Sequence, residues 1–513
     1  MIAFINVNVI PMDTERVLEN QTVIVENARI TAIGPTDKVV LRSGTKIIDG
    51  NGAFLVPGLA DMHMHVESIE RTFEGPELLR IYLAEGVTTI RNLSAMPEHL
   101  VWAQEIARGE RPGPSLYNGR LVAGLPDDLH ANAIFFRAVI VLSPLVIGLI
   151  VWLLLWILLN YIIGNQALYQ LIQPYLLPSL GALLLAGGFA AWRKIIPLNA
   201  FTSRRFPFVT FAESAAESRR FVQEIKAAGY DFVKSYDYLP PDAYLAALDE
   251  ARKQHIYTVG HLLDELAQEI ETIFRTGLRE VAHIDEFTDR HMLGRNFPNK
   301  GFSGVTFDYS TIPQTAGILK EQDVMVVSNL VADEVIYCIL EDLQILSHPI
   351  YAVVPPQVLD RWRSRGRFIN WQGQQEWRRN VQMPFLMTLT KALHDAGVPL
   401  LIGTDLSVEG MIPVHVHRDL ELLVEAGLSP FEALAAGTRN AGISVERMDG
   451  NGCFGTIKIG QRADLLLLKG NPLENISATR SRVGVMVRGQ WFTQAELDAQ
   501  TTRADAPGAA GRK

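Results

Sequence analysis

The feature that most constrains the fold is a repeated alternation of short apolar runs with helical segments through the middle of the chain. Runs of this kind are typical of buried strands, and repeated strand and helix units favour a parallel sheet with both faces covered. The runs lie at residues 56–65, 87–91, 116–122, 232–236, 257–261, 280–284, 324–328 and 398–403. The count approaches the eight strands of a closed barrel, so the sequence predicts an α/β fold with a (β/α)8 barrel of the TIM type.

Both ends of the chain have a different pattern, with short alternating strands separated by Gly, Asn and Pro. Such strands predict a small β-sandwich, and chain termini that lie close together would let both ends build it. The predicted boundaries are 1–57 and 450–495 for the sandwich, 58–136 and 198–449 for the barrel, 137–197 for an insertion, and 496–513 for a disordered tail.

The insertion is apolar. No charged residue occurs between Ala138 and Trp192. This segment contains two apolar stretches, at about 138–163 and about 175–192. A membrane-spanning helix needs about 20 residues, so each stretch can cross a bilayer, the second only barely. The sequence therefore predicts a two-helix transmembrane hairpin at 137–197 that contacts the lipid bilayer through residues 138–192; two buried helices, or a hairpin lying in the interface, are the alternatives. Arg137 and Arg193 flank the hairpin, which favours a protein of a bacterial-type inner membrane with its barrel facing the cytoplasm.

The net charge of the chain limits the kinds of molecule that it can bind. The formal net charge is -9, so there is no basic face for nucleic acid and no nucleic-acid partner is expected. The two cysteines lie far apart in sequence, which argues against a disulfide framework. Association into a homo-oligomer stays open.

Side chains that commonly bind metals stand at the carboxyl ends of the predicted strands. His63 and His65 alternate onto one face of their strand, so both imidazoles can hold one cation. Four further strands end in residues of this type: Lys234, His261, His283 and Asp405. Each residue alone has an ordinary structural explanation. Because the carboxyl ends of barrel strands meet at one face, the set as a whole predicts a metal centre there.

These residues and their surroundings resemble the amidohydrolase superfamily, and within it the imidazolonepropionase-like and Xaa-Pro dipeptidase-like group. The matching segments are PGLADMHMH at 57–65, FVKSYD at 232–237, GH at 260–261, AH at 282–283, GTD at 403–405, GLSPFEAL at 427–434 and GQRADL at 460–465. They cover the whole chain except the apolar insertion.

The resemblance implies a binuclear site with two divalent metal ions. In this arrangement one metal is held by His63, His65 and Asp405, the second by His261 and His283, and Lys234, carboxylated on its amine, bridges the two. A carbamate offers two anionic oxygens where an ammonium group would repel cations. Zinc fits such ligands best, and manganese or cobalt fits them too.

The implied activity is hydrolysis of an amide bond in a small molecule such as a dipeptide or an N-acyl amino acid. A metal-bridging hydroxide would attack the carbonyl group, with Asp405 as the proton shuttle. Tyr236 is expected to donate to the carbonyl oxygen or to a substrate carboxylate, and His130 is a candidate for substrate contact; a packing tyrosine and a surface histidine are the alternatives. Two other interpretations stay open. One is a mononuclear cyclic-amide hydrolase or deaminase, which Lys234 argues against, and the other is a non-catalytic, membrane-anchored barrel scaffold.

Overall fold

The fold was analysed in a computed structural model, which describes residues 1–66, 75–124, 209–293, 304–364, 373–406, 410–450 and 452–501. The strands are β1 (Ile2–Val9), β2 (Leu18–Glu26), β3 (Arg29–Pro35), β4 (Lys46–Asp49), β5 (Phe54–Pro57), β6 (Leu59–Met64), β7 (Val87–Asn92), β8 (Ser115–Ala123), β9 (Val209–Phe211), β10 (Phe232–Ser235), β11 (Tyr257–Gly260), β12 (Glu280–Val281), β13 (Met292–Leu293), β14 (Thr306–Phe307), β15 (Met325–Val327), β16 (Leu400–Leu401), β17 (Leu465–Leu468), β18 (Arg482–Val487) and β19 (Gln490–Thr493).

Helices separate most of the barrel strands. The α-helical segments are Gly75–Ala84, Pro97–Ala107, Ala215–Ala227, Pro241–Lys253, Ile270–Thr276, Thr288–His291, Ile312–Glu321, Leu330–Glu341, Pro356–Ser364, Gln375–Trp377, Met383–Asp395, His415–Glu425, Pro430–Ala436, Arg439–Asp449 and Gln494–Thr501. A π-helical segment, Arg378–Gln382, joins two of them into one longer helix.

Parallel strands form the barrel in the order β6, β7, β8, β10, β11, β12, β15 and β16, and the short β9 pairs with β8. The first and last of these strands come together through backbone hydrogen bonds, from Met62 N to Ile402 O at 2.9 Å and from Asp405 N to His63 O at 2.7 Å. Every residue of β6, β7 and β10 is buried, as expected for strands covered on both faces. The predicted α/β barrel is therefore confirmed.

A buried ion pair crosses the inside of the barrel. Arg91 on β7 pairs with Glu280 on β12, and both side chains are fully buried. Arg91 also donates to the carbonyl of Met62 at 2.8 Å, and Ser444 donates to Glu280 at 2.8 Å. Since β7 and β12 are not neighbours in the sheet, this contact spans the interior. The pair ties opposite sides of the barrel together, and its hydrogen bonds compensate the cost of burying two charges.

The small domain is one curved sheet to which both ends of the chain contribute. Its strands run in the order β19, β18, β17, β5, β1, β2, β3, with β4 paired to β1. Phe4 on β1 contacts Trp491 on β19 edge to face, with ring centroids 5.2 Å apart, although several strands separate them in the sheet. The sheet therefore folds back over its own apolar side. The structure places both chain ends in this one sheet, as expected; the exact domain boundaries stay predictions.

The end of the chain differs from the sequence-based expectation. A helix, Gln494–Thr501, occupies the first part of the segment 496–513 that was predicted to be a disordered tail. Leu497 on this helix is 1% exposed, and Gln494 donates to the carbonyl of Ala84 at 3.1 Å. The helix forms because it packs on the barrel helix Gly75–Ala84. Residues 502–513 lie outside the described residues.

The predicted location in a membrane is wrong. Among the described residues, no helix is both long and apolar enough to cross a bilayer. Helices such as Ala215–Ala227 have 13 residues, which corresponds to about 20 Å against a hydrocarbon thickness of roughly 30 Å. The predicted hairpin at 137–197, with its bilayer contact through 138–192, falls in residues 125–208, which lie outside the described residues. The assignment as an integral protein of a bacterial inner membrane with a cytoplasm-facing barrel is therefore withdrawn.

Candidate metal centre

Six residues predicted at strand ends come together at the carboxyl end of the barrel. His63 lies in β6 and Lys234 in β10. The other four follow the ends of β6, β11, β12 and β16 within one to four residues: His65, His261, His283 and Asp405. The imidazole rings form a continuous cluster, with centroid distances of 5.5 Å for His63 and His65, 5.0 Å for His63 and His283, and 4.6 Å for His261 and His283.

His63, His65 and Asp405 form what we call the first ligand group. The Nε2 atoms of His63 and His65 lie 3.6 Å and 3.2 Å from Asp405 Oδ1. The second ring nitrogen of each histidine is hydrogen-bonded to the protein. His63 Nδ1 donates to the carbonyl of Ala282 at 2.8 Å, and His65 Nδ1 lies 2.6 Å from Ser94 Oγ. Neutral partners of this kind fix the orientation of a metal-binding imidazole. The three donor atoms can therefore converge on one cation.

The charge states of the first ligand group suit a cation. Burial lowers the pKa of His63 well below its ordinary value, so its imidazole is neutral near pH 7. Burial alone would raise the pKa of Asp405, but the neighbouring His63 and His65 hold it well below its usual range. A neutral imidazole and an ionised carboxylate are the forms in which these side chains bind metals.

His261, His283 and Glu286 form the second ligand group, and their donor atoms lie within 4.8 Å of one another. Glu286 Oε1 lies 3.3 Å from His261 Nδ1 and 3.1 Å from His283 Nδ1. Each histidine also has a carboxylate of its own, since His261 Nδ1 is 2.8 Å from Asp237 and His283 Nδ1 is 2.7 Å from Asp285. Burial lowers the pKa of His283, but Asp285 and Glu286 outweigh it and raise the pKa well above the ordinary value.

Lys234 lies between the two groups, and its amine has no hydrogen-bond partner within the described residues. The side chain is 1% exposed. Burial lowers the pKa of Lys234 to about 8, although Glu286 and Asp405 favour its charged form. Carboxylates of both groups thus act on this amine. A buried ammonium without a hydrogen bond is costly, so the site suits a modified, metal-bound form of the side chain.

Tyr236 and His130 were predicted to contact substrate. The structure places the Tyr236 ring against His261, with centroids 4.1 Å apart, and 5.9 Å from Lys234 Nζ. Burial raises the pKa of the Tyr236 hydroxyl, so it stays protonated and can donate a hydrogen bond. His130 lies outside the described residues.

Asp61 joins the strand that carries His63 to the segment that carries Asp405. Its carboxylate accepts from His63 N at 3.2 Å, from Thr404 N at 3.1 Å, from Thr404 Oγ1 at 2.6 Å and from Tyr82 OH at 2.9 Å. Burial raises the pKa of Asp61 to about 6. With four hydrogen bonds, Asp61 fixes the relative position of the two strands whose ends form the first ligand group.

A second buried carboxylate supports the neighbouring strands. Asp419 accepts from Ser328 Oγ at 2.6 Å, from Val331 N at 3.2 Å and from Gly403 N at 3.3 Å. Gly403 has no room for a side chain, because a Cβ atom there would lie 2.7 Å from both Asn329 Oδ1 and His63 Cβ. The glycine therefore lets the ends of β15 and β16 approach the first ligand group closely.

Sequence reasoning missed the acidic side of the site. Asp237, Asp285 and Glu286 contact the two histidines of the second ligand group but were not among the predicted site residues. Each follows a strand-end Lys or His by two or three positions, in Lys-Ser-Tyr-Asp and His-Ile-Asp-Glu. Acidic residues in the turn after a barrel strand face the same opening as the strand end, and this was the available signal.

The chemistry of the donors fits divalent metal ions. Two groups of imidazole and carboxylate donors converge within the described residues, and the buried amine of Lys234 lies between them. Imidazole nitrogen and carboxylate oxygen are ligands for zinc and for related ions of the first transition row. The arrangement can hold cations, orient water and a carbonyl group, and move a proton through a carboxylate.

Solved structures with this fold include several hydrolases. A Xaa-Pro dipeptidase with bound methionine in its active site superposes with a TM-score of 0.60 at 14% identity, covering 96% of this chain and 99% of that one. A molinate hydrolase gives 0.60 at 17%, with 100% and 98% covered. The ochratoxinase of A. niger gives 0.57 at 16%, with 96% and 95% covered. At these identities the likeness establishes the fold.

Similarity to curated sequences is confined to a short stretch. The adenine deaminase of Paracoccus denitrificans (strain Pd 1222) is 38% identical over 77 residues, which are 15% of this chain and 13% of that protein. The adenine deaminase of Ruegeria sp. (strain TM1040) is 35% identical over 77 residues, 15% of this chain and 12% of that protein. The chain thus spans about an eighth of the length of these relatives.

The sequence pattern of one family extends over most of the barrel and into the small sheet. The amidohydrolase family matches residues 207–492, which are more than half of the chain and include Lys234, His261, His283 and Asp405. This match agrees with the barrel topology and with the convergence of metal-type side chains at its carboxyl end. The chain belongs to the amidohydrolase family.

Proposed function

We propose that the protein is a binuclear metal-dependent hydrolase that cleaves an amide bond in a dipeptide or an N-acyl amino acid. The observation that carries the proposal is the buried, unpartnered amine of Lys234 between two groups of metal-type side chains. An ammonium group at this place is buried and has no hydrogen-bond partner within the described residues, which is costly. As a carbamate it would supply one oxygen to each group, and zinc is the ion that best fits the complete donor set.

Formation of the carbamate needs the neutral amine. Its lone pair would form a bond to the carbon of carbon dioxide, the electrons of one C=O π bond would move onto oxygen, and the nitrogen would lose one proton to water. With a pKa of about 8, about one in ten Lys234 side chains is neutral at pH 7, against about one in several thousand for an ordinary lysine. The burial that makes the ammonium unfavourable therefore also favours the modification.

The roles of the remaining residues follow from their positions. His63, His65 and Asp405 would hold one ion, and His261 and His283 the other, with Glu286 as an additional candidate ligand. When bound, such ions lower the pKa of water and polarise a carbonyl group. The Asp405 carboxylate is ionised and stands at the centre of the first group, so it can accept the proton of the attacking water and pass it to the departing amine.

Tyr236 would orient the substrate. Its hydroxyl stays protonated and its ring lies on His261, so it can donate to the carbonyl oxygen or to the carboxylate of the amino acid that leaves. Replacement of Tyr236 by Phe removes this hydrogen bond and leaves the ring in place. We expect kcat/KM to fall by about 10-fold, while the metal content stays unchanged.

The experiment that tests the proposal is a metal count on the purified full chain, followed by a screen of dipeptides with carboxy-terminal Pro, Arg or Lys and of N-acyl amino acids. A content near two transition-metal ions per chain with hydrolysis of one of these classes supports the proposal. A content near one contradicts the binuclear site. Failure of the metal-loaded chain to hydrolyse any of these amides contradicts the substrate class.

Deamination is the second candidate, favoured by the short stretch of similarity to adenine deaminases. It differs from the proposal in substrate and, in the mononuclear form considered above, in metal number. The same preparations should therefore be assayed for ammonia release from adenine. Ammonia release from adenine with no cleavage of amides would replace the proposed function by this one.

A further inference from the structure

A cavity of about 370 Å³ lies between the small sheet and the barrel and shares no residue with the metal centre. Its lining comes from four separate segments of the chain. The lining residues are Asn27, Ala28, Arg29, Ala107, Arg108, Gly109, Arg462, Val487, Arg488 and Gln490. Four of these ten residues are arginines and none is acidic. The volume lies in the range of cavities that hold small-molecule ligands.

Two tight hairpin turns build one wall of the cavity. Asn27 and Ala28 connect β2 to β3 with φ values of 49° and 63°, and Arg488 and Gly489 connect β18 to β19 with φ values of 46° and 76°. Two-residue turns with both φ values positive match the twist of the strands and are rigid. Gly or Asn usually occupies such positions. Arg488 therefore stands in a backbone conformation that is unfavourable for its type, at a place where its side chain lines the cavity.

The four arginines of the cavity wall differ in whether a carboxylate neutralises their charge. Arg108 forms two hydrogen bonds with Glu110, both 2.8 Å long, and Arg462 donates to Asp464 at 2.5 Å. Arg29 donates to the carbonyl of Gly460. Neither Arg29 nor Arg488 forms an ion pair within the described residues. The cavity wall thus carries four guanidinium groups, of which two are paired with carboxylates.

Of the two arginines without an ion pair, Arg488 is the more deeply placed. It donates to Ser115 Oγ at 3.2 Å and to the carbonyl of Gly113 at 3.1 Å, and these neutral acceptors hold its guanidinium in a fixed position. Burial lowers the pKa of Arg488 although the nearby Asp464 carboxylate favours the charged form, so the surroundings as a whole disfavour the charge. An anion in the cavity would remove this penalty, because a guanidinium fork binds the oxygens of a phosphate or carboxylate in parallel.

We propose that this cavity binds a small molecule with at least two negative charges, carried by phosphate or carboxylate groups. Arg29 and Arg488 bind it directly. The bound anion joins the two hairpin turns of the small sheet to the end of the barrel helix Pro97–Ala107, which contributes Ala107 to the wall. The inference does not depend on the reaction at the metal centre.

The test is isothermal titration calorimetry of the full, metal-loaded chain with two probes, a hexose bisphosphate and tricarballylate, at constant ionic strength. Both bind metal ions weakly, and the metal content is measured again after each titration. We expect a dissociation constant below about 1 mM for at least one probe. Tighter binding of the bisphosphate assigns the site to phosphate esters, and tighter binding of tricarballylate assigns it to polycarboxylates.

Three variants locate the binding. Arg29→Gln and Arg488→Gln should each weaken it by about 10-fold or more, since each removes a charge-assisted hydrogen bond. Arg29 is exposed, so its replacement leaves folding intact even if Arg488→Gln reduces stability. Arg42→Gln is the matched control, because Arg42 is an exposed arginine of the same domain that does not line the cavity.

Two results would overturn the inference. The first is the absence of measurable binding of either probe to the metal-loaded chain. The second is an equal effect of Arg29→Gln and Arg42→Gln on the dissociation constant, because this would mean general attraction to a charged surface.

Discussion

The two ligand groups at the barrel mouth are built from similar side chains but supported differently. The first group, His63, His65 and Asp405, is held by neutral groups, a backbone carbonyl and the hydroxyl of Ser94. The histidines of the second group are surrounded by the carboxylates of Asp237, Asp285 and Glu286. The histidines of the first ligand group are therefore oriented by neutral neighbours. Those of the second group are oriented by acidic residues in the turns that follow the barrel strands.

The difference has a physical consequence for metal binding. In the first group, Asp61 fixes the two supporting strands, and His63 and Asp405 already have the charges that a metal needs. In the second group, Asp285 and Glu286 favour a proton on His283, and a metal must compete with that proton. We therefore expect the first site to fill before the second when metal is limiting.

Replacement of Asp405 by Asn should have the largest effect, because it removes both an anionic ligand of the first group and the proposed proton acceptor. We expect kcat for amide hydrolysis to fall by about 1,000-fold or more. The measurement is steady-state kinetics on the substrate found in the screen. Asp395→Asn is the control and should retain full activity, because Asp395 is an exposed carboxylate paired with Lys391 of the same helix. Hydrolysis that survives in Asp405→Asn would exclude the proton shuttle.

Replacement of Lys234 by Met tests whether the two groups depend on a bridge. The metal content should fall from about two ions per chain towards one, and activity should fall by about 100-fold or more. Thermal unfolding of the metal-free chain should occur at the same or a higher temperature, because Met removes a buried amine that has no hydrogen bond. A variant with full metal content would contradict the role of Lys234 as a bridging ligand.

A pair of variants compares the supports of the two groups directly. Ser94→Ala removes the neutral partner of His65, and Asp237→Asn removes a charged partner of His261. We expect Ser94→Ala to weaken binding of the first metal ion by about 10-fold, and Asp237→Asn to leave that ion unaffected while weakening the second. Metal affinities follow from competition with a chelator. Equal effects of both variants on both ions would show that the two groups do not act separately.

Asp419→Asn should have the smallest effect on activity and a clear effect on the pH dependence of stability. The pKa of Asp419 is raised from 3.8 to about 7 by burial, so the folded state keeps a proton that the unfolded state loses. The stabilisation from this group is therefore complete below about pH 4 and is lost as the pH rises to about 7. Relative to the Asn variant, the free energy of unfolding of the wild type should decrease by roughly 4 kcal/mol over this interval.

Chemical denaturation at a series of pH values measures this difference. Subtracting the Asp419→Asn curve from the wild-type curve removes the contributions that the two proteins share. A difference that rises with pH between 4 and 7 would contradict a buried, protonated Asp419.

The sequence predicted the barrel because apolar strand runs and helix runs alternate regularly, and it predicted the histidines because each ends such a run. It did not reveal Glu286 or Asp285, because an acidic residue in a turn has the same local pattern whether it faces solvent or a histidine. The same limit applies to Asp61 and Asp419. Their carboxylates are buried by segments distant in sequence, and only the folded chain shows that they hold the first ligand group.

The small sheet also has a consequence for how the protein is made. Its strand β5 directly precedes the barrel strand β6, yet β5 pairs with β17, which is synthesised after the whole barrel. During translation the edge of β5 therefore stays without this partner until β17, which begins at Leu465, has left the ribosome. An unpaired, apolar strand edge can pair with another chain. Chains that terminate before Leu465 are therefore expected to aggregate, because they lack the strand that covers the edge of β5.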